Sequence, residues 1–336
     1  MRLCLLLLPL LLLFLLLAGC GRYADFTLPP PAGPIRPVTW EWEDHGDPVL
    51  PLGPPGAFDA VDTLNPSIVS LQGRLWNFYS GWDGNQWRTG LAHSDNGIDW
   101  TRTPKPILAP QPERGEGNYI AANGTTLYQN SRFLHWYQAG NPPQIALATS
   151  PDGLQWTKYG PVLPAGPRGA WDERGVADPY LIAADGKLYL YFLGQDRARR
   201  QRLGLAVSAD GGFSFTKLRS NPVLELGNPG NFDELGLGEP ALWTSHGRWW
   251  LLYTGRDRLE RRKIGLASSP DGVHWQRTSE RALIAGSARW NAAVVCDPEL
   301  LLQPDGSLRI WYGGGDAPQP AENLHGQIGT GRLIPR

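Results

Sequence analysis

From residue 39 onward the apolar residues come in short runs, divided by turn-forming pairs and without helical spacing. The strongest runs are aromatic: Leu75 to Tyr79, Phe133 to Tyr137, Leu188 to Phe192, Trp249 to Tyr253 and Leu308 to Tyr312. A tight turn precedes each, at Gln72-Gly73, Asn130-Ser131, Asp185-Gly186, His246-Gly247 and Asp305-Gly306. A run of smaller residues follows the first four, at Leu91-Ala92, Ile145 to Ala148, Leu203 to Ala206 and Ile264 to Ala267. Next comes a shared ending: Ser94 to Trp100, Ser150 to Trp156, Ser208 to Phe215 and Ser269 to Trp275, each containing Asn-Gly or Asp-Gly. Such pairs between apolar runs predict hairpins with type I′ turns, which need positive φ at both central residues. The aspartates of these endings therefore read as turn-formers. Each repeat reads as four antiparallel strands, A to D.

Repeats at roughly 40–60 residues mean a stacked or circular architecture. The fifth copy stops after strand C, at Gln327 to Leu333. Its strand D is supplied from the other end of the chain: Trp42 followed by Gly46-Asp47-Pro48-Val49-Leu50 matches Trp156 followed by Gly160-Pro161-Val162-Leu163. A sheet completed by the opposite terminus closes a ring and removes its edges. The expectation is an all-β, five-bladed β-propeller of four-stranded antiparallel blades, the last closed by an N-terminal strand.

One position changes from copy to copy: Asn65, Asn123, Asp178, Glu239 and Asp297. Proline follows all but Asn123. Propeller topology places these residues at the top of strand A, with the B–C loops, and puts the A–B and C–D turns below. Carboxylates of Asp178, Glu239 and Asp297 should meet the amides of Asn65 and Asn123 there. Three carboxylates in one pocket repel each other and raise at least one pKa. Glycoside hydrolysis needs such an arrangement, one carboxyl as acid and one carboxylate as base or nucleophile. The alternative is a set of groups that only hydrogen-bond sugar hydroxyls or each other.

Six residues upstream stands a second set, Asp59, Asp172, Asp233 and Asn291, each preceded by Phe or Trp. Repeat 2 has Gly117 at that place. Near-invariance between copies favours a structural role, capping the loop into strand A; contact with sugar is the competing role. Trp82, Trp87, Trp171 and Trp290 are the tryptophans placed to stack on a sugar face, with core packing as the alternative. Arginine-rich B–C loops at Asp196 to Arg202 and Arg256 to Lys263 are either solvated tips or a seat for an anionic glycan. His325, in the long fifth B–C loop with Asp316 and Glu322, reads as a surface residue.

The whole segment beyond the leader resembles the five-bladed propeller glycosidases, the clan around glycoside hydrolase families 43, 32 and 68. Those families open blade 3 with aspartate and blade 4 with glutamate, as do Val176-Ala177-Asp178-Pro179 and Gly236-Leu237-Gly238-Glu239-Pro240. The resemblance implies that Asp178 stabilises the transition state or tunes a pKa, and that Glu239 is the general acid. Blade 1 departs from the pattern, with Asn65 where an aspartate serves as base or nucleophile. Asp62, three residues upstream, and Asp297, opening blade 5, are the two candidate substitutes. Inversion and retention both stay open, as does a non-catalytic glycan-binding or polysaccharide-assembly role. A sialidase is the weakest reading: only Ser208 to Phe215 has the spacing of that family's Asp-box, and five units are expected rather than six.

The first nineteen residues read as an export signal, with Arg2, a leucine-rich core and Leu17-Ala18-Gly19-Cys20. The last four resemble a bacterial lipobox, which implies lipidation of Cys20 and, with Gly21 next, an outer-membrane address. Residues 20–38 then form a tether and 39–336 the propeller. Net charge is −1 over the full chain, which gives no electrostatic case for nucleic acid. With Cys4 removed and Cys20 lipidated, Cys296 is the one thiol left, so an intramolecular disulfide and a cysteine-based metal site are not expected; no metal site or cofactor motif is legible, and a cation on the propeller axis is the one alternative. The expected partner is a carbohydrate, the expected contact with a membrane only the lipid, and the expected state a monomer.

Overall fold

The computed structural model describes residues 23–336; the leader and the lipidation candidate Cys20 lie outside them. Apart from two single-turn 3-10 helices, at Pro112–Arg114 and Arg289–Asn291, all regular structure is β. Strands β1 (Tyr23–Ala24) and β2 (Trp40–Asp44) come first. Unit 1 follows with β3 (Asp62–Leu64), β4 (Ile68–Leu71), β5 (Arg74–Trp82), β6 (Trp87–Ser94) and β7 (Thr101–Arg102). Unit 2 has β8 (Ile120–Gln129), β9 (Arg132–Ala139), β10 (Gln144–Ser150) and β11 (Thr157–Leu163). Unit 3 has β12 (Gly175–Ala184), β13 (Lys187–Gln195), β14 (Gln201–Ser208) and β15 (Thr216–Leu218). Unit 4 has β16 (Gly236–Ser245), β17 (Arg248–Arg256), β18 (Arg262–Ser269) and β19 (Gln276–Arg277). Unit 5 has β20 (Val294–Leu302), β21 (Leu308–Gly315) and β22 (Gln327–Pro335).

Strands pair antiparallel with their neighbours inside each unit, and β2 pairs antiparallel with β22, Trp40 opposite Pro335 and Asp44 opposite Gly331. Short parallel contacts join units at their upper ends: Trp87 with Ile120, Gln201 with Gly236, and Arg262 with Val294. Val176 N donates to Pro143 O between units 2 and 3 (3.0 Å), and Thr63 N donates to Gly326 O between units 5 and 1 (2.8 Å). The aromatic runs are buried almost completely; Trp136, Trp311, Tyr79, Tyr137, Tyr191 and Tyr253 are among the largest fully buried side chains. Burying large apolar rings between sheets is the main favourable term here.

The type I′ geometry lies at the A–B turns, not at the Asp-Gly endings. Gln72-Gly73, Asn130-Ser131, Asp185-Gly186 and His246-Gly247 have positive φ at both residues. In the endings only the glycine does, as at Gly153 (φ 76°). The side chains close those turns instead. Ser150 Oγ accepts from Gly153 N (2.8 Å), and Asp152 Oδ1 accepts from Leu154 N and Gln155 N (both 2.9 Å). Ser94, Ser208 and Ser269 repeat the pattern. The short polar side chains mimic backbone turn bonds, so positive φ is not needed at the aspartate.

The first part of residues 23–37, expected as a tether, is packed, and the rest lies exposed along the sheets. Strand β1 runs parallel to β15. Leu28 is 3 % exposed inside the core shared by units 3 and 4, and its N–H donates to Asp271 O (3.2 Å). Trp249 Nε1 donates to Pro29 O (3.1 Å), and Arg36 N donates to His246 O (3.2 Å). Proline and glycine suggested a free chain, but Phe26 and Leu28 supply the apolar surface that fixes it.

Candidate functional site

All five varying residues have a left-handed backbone: φ is 48° at Asn65, 50° at Asn123, 48° at Asp178, 45° at Glu239 and 52° at Asp297. Each interrupts the inner strand. Register shifts fall at these places in β8, β12, β16 and β20, and the break between β3 and β4 is the counterpart in unit 1. A bulge of this kind re-aims a side chain. Left-handed φ is tolerated by Asn and Asp and costs on the order of 1–3 kcal/mol for other side chains; at Glu239 the bulge shared by the units imposes it.

The bulges bring the five side chains together. Asp178, Glu239 and Asn123 line an open cavity of about 220 Å³, with Trp87, Tyr119, Gln138, Gln195, Gln201 and the arginines 174, 256 and 262 around it. Beneath it, all five ring residues and Glu299 line an axial space of about 30 Å³, enough for a water molecule. Asp297 is the least exposed of the ring carboxylates, at 6 %. Asn65 donates to it twice, from N to Oδ2 (3.2 Å) and from Nδ2 to Oδ1 (2.9 Å), and Cys296 Sγ donates to Oδ2 (3.2 Å). Glu239 Oε2 and Asn123 Oδ1 have no hydrogen-bond partner in the protein.

Burial, and then the charge of Glu239, push Asp297 up to about 8. Burial, Glu239 and Asp297 push Asp178 well above the usual carboxylate range. Like charges confined together titrate as one coupled group. The cluster therefore keeps a proton near neutrality and still presents carboxylate oxygens, which is the condition for acid and base work on one substrate. Glu299, below the ring, is pushed up to about 8 by burial. Among the described residues no set of three His, Cys, Asp or Glu side chains is arranged to hold a metal ion.

Other expected site residues are placed elsewhere. Asp62 is fully buried and accepts from Asn323 N (2.7 Å) and Gly326 N (2.8 Å) of the fifth B–C loop; it anchors that loop and does not line the cavity. Asp59, Asp172 and Asp233 are buried and paired with Arg102, Lys217 and Arg277. Tyr79 OH donates to Asp59 (2.8 Å) and Tyr253 OH to Asp233 (3.1 Å). They tie strands B and D to the loop entering strand A, so they are structural and not sugar contacts. Trp171 packs on Phe192 and covers Gly194 and Gly204; Trp290 stacks on Tyr312 and covers Gly314 and Gly329. Both are core. Trp82 is buried and stacked on Trp87 at 5.4 Å. His325 is exposed against Asp316.

Two residues were not anticipated. Glu116 is the missing member of the structural set in unit 2, taking the hydroxyl of Tyr137 (2.6 Å) and the ammonium of Lys158. Tyr119 stands at the cavity rim, 43 % exposed, edge-on to Trp82; its place just before strand A of unit 2 was the available signal. Three arginines of the arginine-rich loops are paired with acids: Arg197 with Glu173, Arg200 with Asp196, and Arg258 with Glu234.

A family model described as BNR repeat-like domain matches residues 59–310. Two proteins of Mycobacterium tuberculosis, both described as uncharacterized, are 26 % identical over 171 residues, 48 % of this chain and 55 % of theirs. The chain thus spans about half the length of the curated relatives it matches. Among solved structures, a glycosyl hydrolase from Bacteroides ovatus superposes with a TM-score of 0.70 at 16 % identity, covering 88 % of this chain and 93 % of its own. Another superposes at 0.69 with 17 % identity, covering 91 % and 96 %. It comes from work on the GH130 family of mannoside phosphorylases, described as containing glycoside hydrolases that target β-1,2 mannosidic linkages in Candida mannan. These likenesses establish a fold held in common with glycoside hydrolases.

Proposed function

The chain belongs to the BNR repeat-like domain family, and from that premise we propose that it is a glycan-processing protein, a glycoside hydrolase built as a five-bladed propeller. Its units are the blades, and β2 closes the fifth by pairing with β22. The observation that carries this reading is the pairing of Asp178 and Glu239 in one open cavity, both aimed there by left-handed bulges. Glu239 has a carboxylate oxygen without a partner, and a glycosidic oxygen would supply one. In this reading Glu239 protonates the leaving oxygen, and Asp178 holds the coupled proton balance. Of the two substitutes for a blade-1 aspartate, only Asp297 reaches the ring, oriented by Asn65. The leader and Cys20 support export and lipid anchoring, with an outer-membrane address.

Glu239→Gln should lower release of reducing ends from a cleaved glycan by roughly 10²–10⁴-fold, the usual share of general acid catalysis, with binding kept. Asn65 favours a second reading, a glycan binder without turnover, because an amide can neither attack nor take a proton. A wild-type protein that binds members of a glycan panel and releases no reducing ends decides for the binder.

A further inference from the structure

The cavity has an acidic floor and a cationic wall. Arg262 opens β18 and is 8 % exposed. Its Nη2 donates to Gln319 O (3.1 Å) and Pro320 O (2.9 Å). Its Nη1 is buried without a partner, and among the described residues Arg262 forms no ion pair. Arg256 lies opposite Arg262 in the β17–β18 register. One Arg256 nitrogen, Nη1, donates to Glu260 (2.9 Å), while Nε is buried without a partner. Gly236 faces this corner: a Cβ there would stand 2.8 Å from Gln201 Oε1 and 3.3 Å from Arg256 Nε. Arg174 lies exposed on the rim of the same cavity.

A buried charged donor left unmade costs more than a neutral one, and a guanidinium presents its N–H groups as a fork suited to carboxylate or phosphate. We propose that Arg262 and Arg256, with Gln201 beside them and Arg174 at the entrance, form an oxyanion subsite adjoining the carboxylates Asp178 and Glu239. It takes a carboxylate or a phosphate, carried on the glycan or arriving as a free anion. The location next to the reacting bond rests on the glycan-processing reading; the anion site itself rests on the orphaned guanidinium nitrogens. Of the loop arginines, Arg197, Arg200 and Arg258 are already paired with Glu173, Asp196 and Glu234.

The test is calorimetric titration of the purified mature protein at low ionic strength with inorganic phosphate, with glucuronate and with glucose. Phosphate, glucuronate or both should bind, with an affinity that falls as salt rises, and glucose should not bind comparably. Binding of glucuronate without phosphate identifies a glycan-borne carboxylate; binding of phosphate alone identifies a phosphate ligand. Arg262→Gln should weaken the anion about tenfold, the loss of roughly one charge-assisted hydrogen bond. Arg174→Gln, at an exposed position, should weaken it less and keep the fold. If Arg262→Gln does not fold, Arg262→Lys replaces it and should weaken binding about threefold through loss of the fork. Failure of both anions to bind wild type, or affinities unmoved by the Arg262 variants, overturns the subsite and leaves Arg262 as a counter-charge to the carboxylates. The two proposals fail separately: anion binding without any glycan cleavage removes only the hydrolase, and cleavage of neutral glycans without anion binding removes only the subsite.

Discussion

At the scale of single residues, the axis stores protons. Asp297 and Glu299 ordinarily titrate near 3.8 and 4.5, and in the fold both are pushed up to about 8. Between those values the folded chain binds more protons than the unfolded chain. The stability these groups confer is complete in acid and is lost as pH rises through about 8. Glu299 separates this effect from the chemistry, because it sits below the ring, near Tyr180, and only its Oε1 is engaged, by Ile68 N (3.2 Å). Glutamine keeps that acceptor and does not titrate. Glu299→Gln should therefore melt at a higher temperature than wild type at pH 8, by roughly 2 °C for each ~1 kcal/mol relieved. The advantage should vanish by pH 4 to 5. Parallel pH profiles of melting for the two proteins would refute the protonated state of Glu299.

At the scale of the element, the loops entering the inner strands of units 1 to 4 are each held by a buried acid, a basic residue from strand D and, except in unit 3, a tyrosine from strand B; in unit 5 Asn291 stands in for the acid and is joined by Tyr312 and Asp44. Unit 2 shows the device with altered spacing: Glu116 joins Tyr137 and Lys158. Breaking a buried pair leaves an uncompensated charge and costs about 3–5 kcal/mol. Lys158→Met should cost that much in denaturant unfolding, with the double variant Lys158→Met/Glu116→Gln recovering a large part of it. A double variant no more stable than the single would show that the two side chains do not act as a pair. The repeat, the strand order and the five ring positions were legible because turn pairs and aromatic runs recur at fixed offsets. The unit-2 acid was not, since Glu116 departs from the others in both residue type and spacing. Asp62 looked available for catalysis because sequence spacing carries no information on which loop folds over it. The positive φ of the ring was foreshadowed by Asn and Asp at most of its members, but at Glu239 it follows from the fold alone.

At the scale of the molecule, a chain without helical layers has to secure its sheets to one another. Parallel contacts along the upper ends merge the strands into one sheet of nine and one of thirteen. The lower side is secured differently. The segment from Tyr23 to Arg36 starts beside β15, passes the Gly272 turn at Leu28, and reaches the His246 turn at Arg36. It is a strap across units 3 and 4 on the side away from the cavity. The strap's weight rests on Leu28, buried with Tyr191, Trp249 and Trp275. Leu28→Ala removes a core side chain and should cost about 2–5 kcal/mol, a fall in melting temperature of roughly 4–10 °C for a domain of this size. Removing residues 23–37 should cost at least as much while leaving the ring carboxylates in place. The check is thermal unfolding of the wild type, Leu28→Ala and the truncated protein. An unchanged melting temperature in Leu28→Ala would mean that the segment is only laid against the sheets and carries none of their stability.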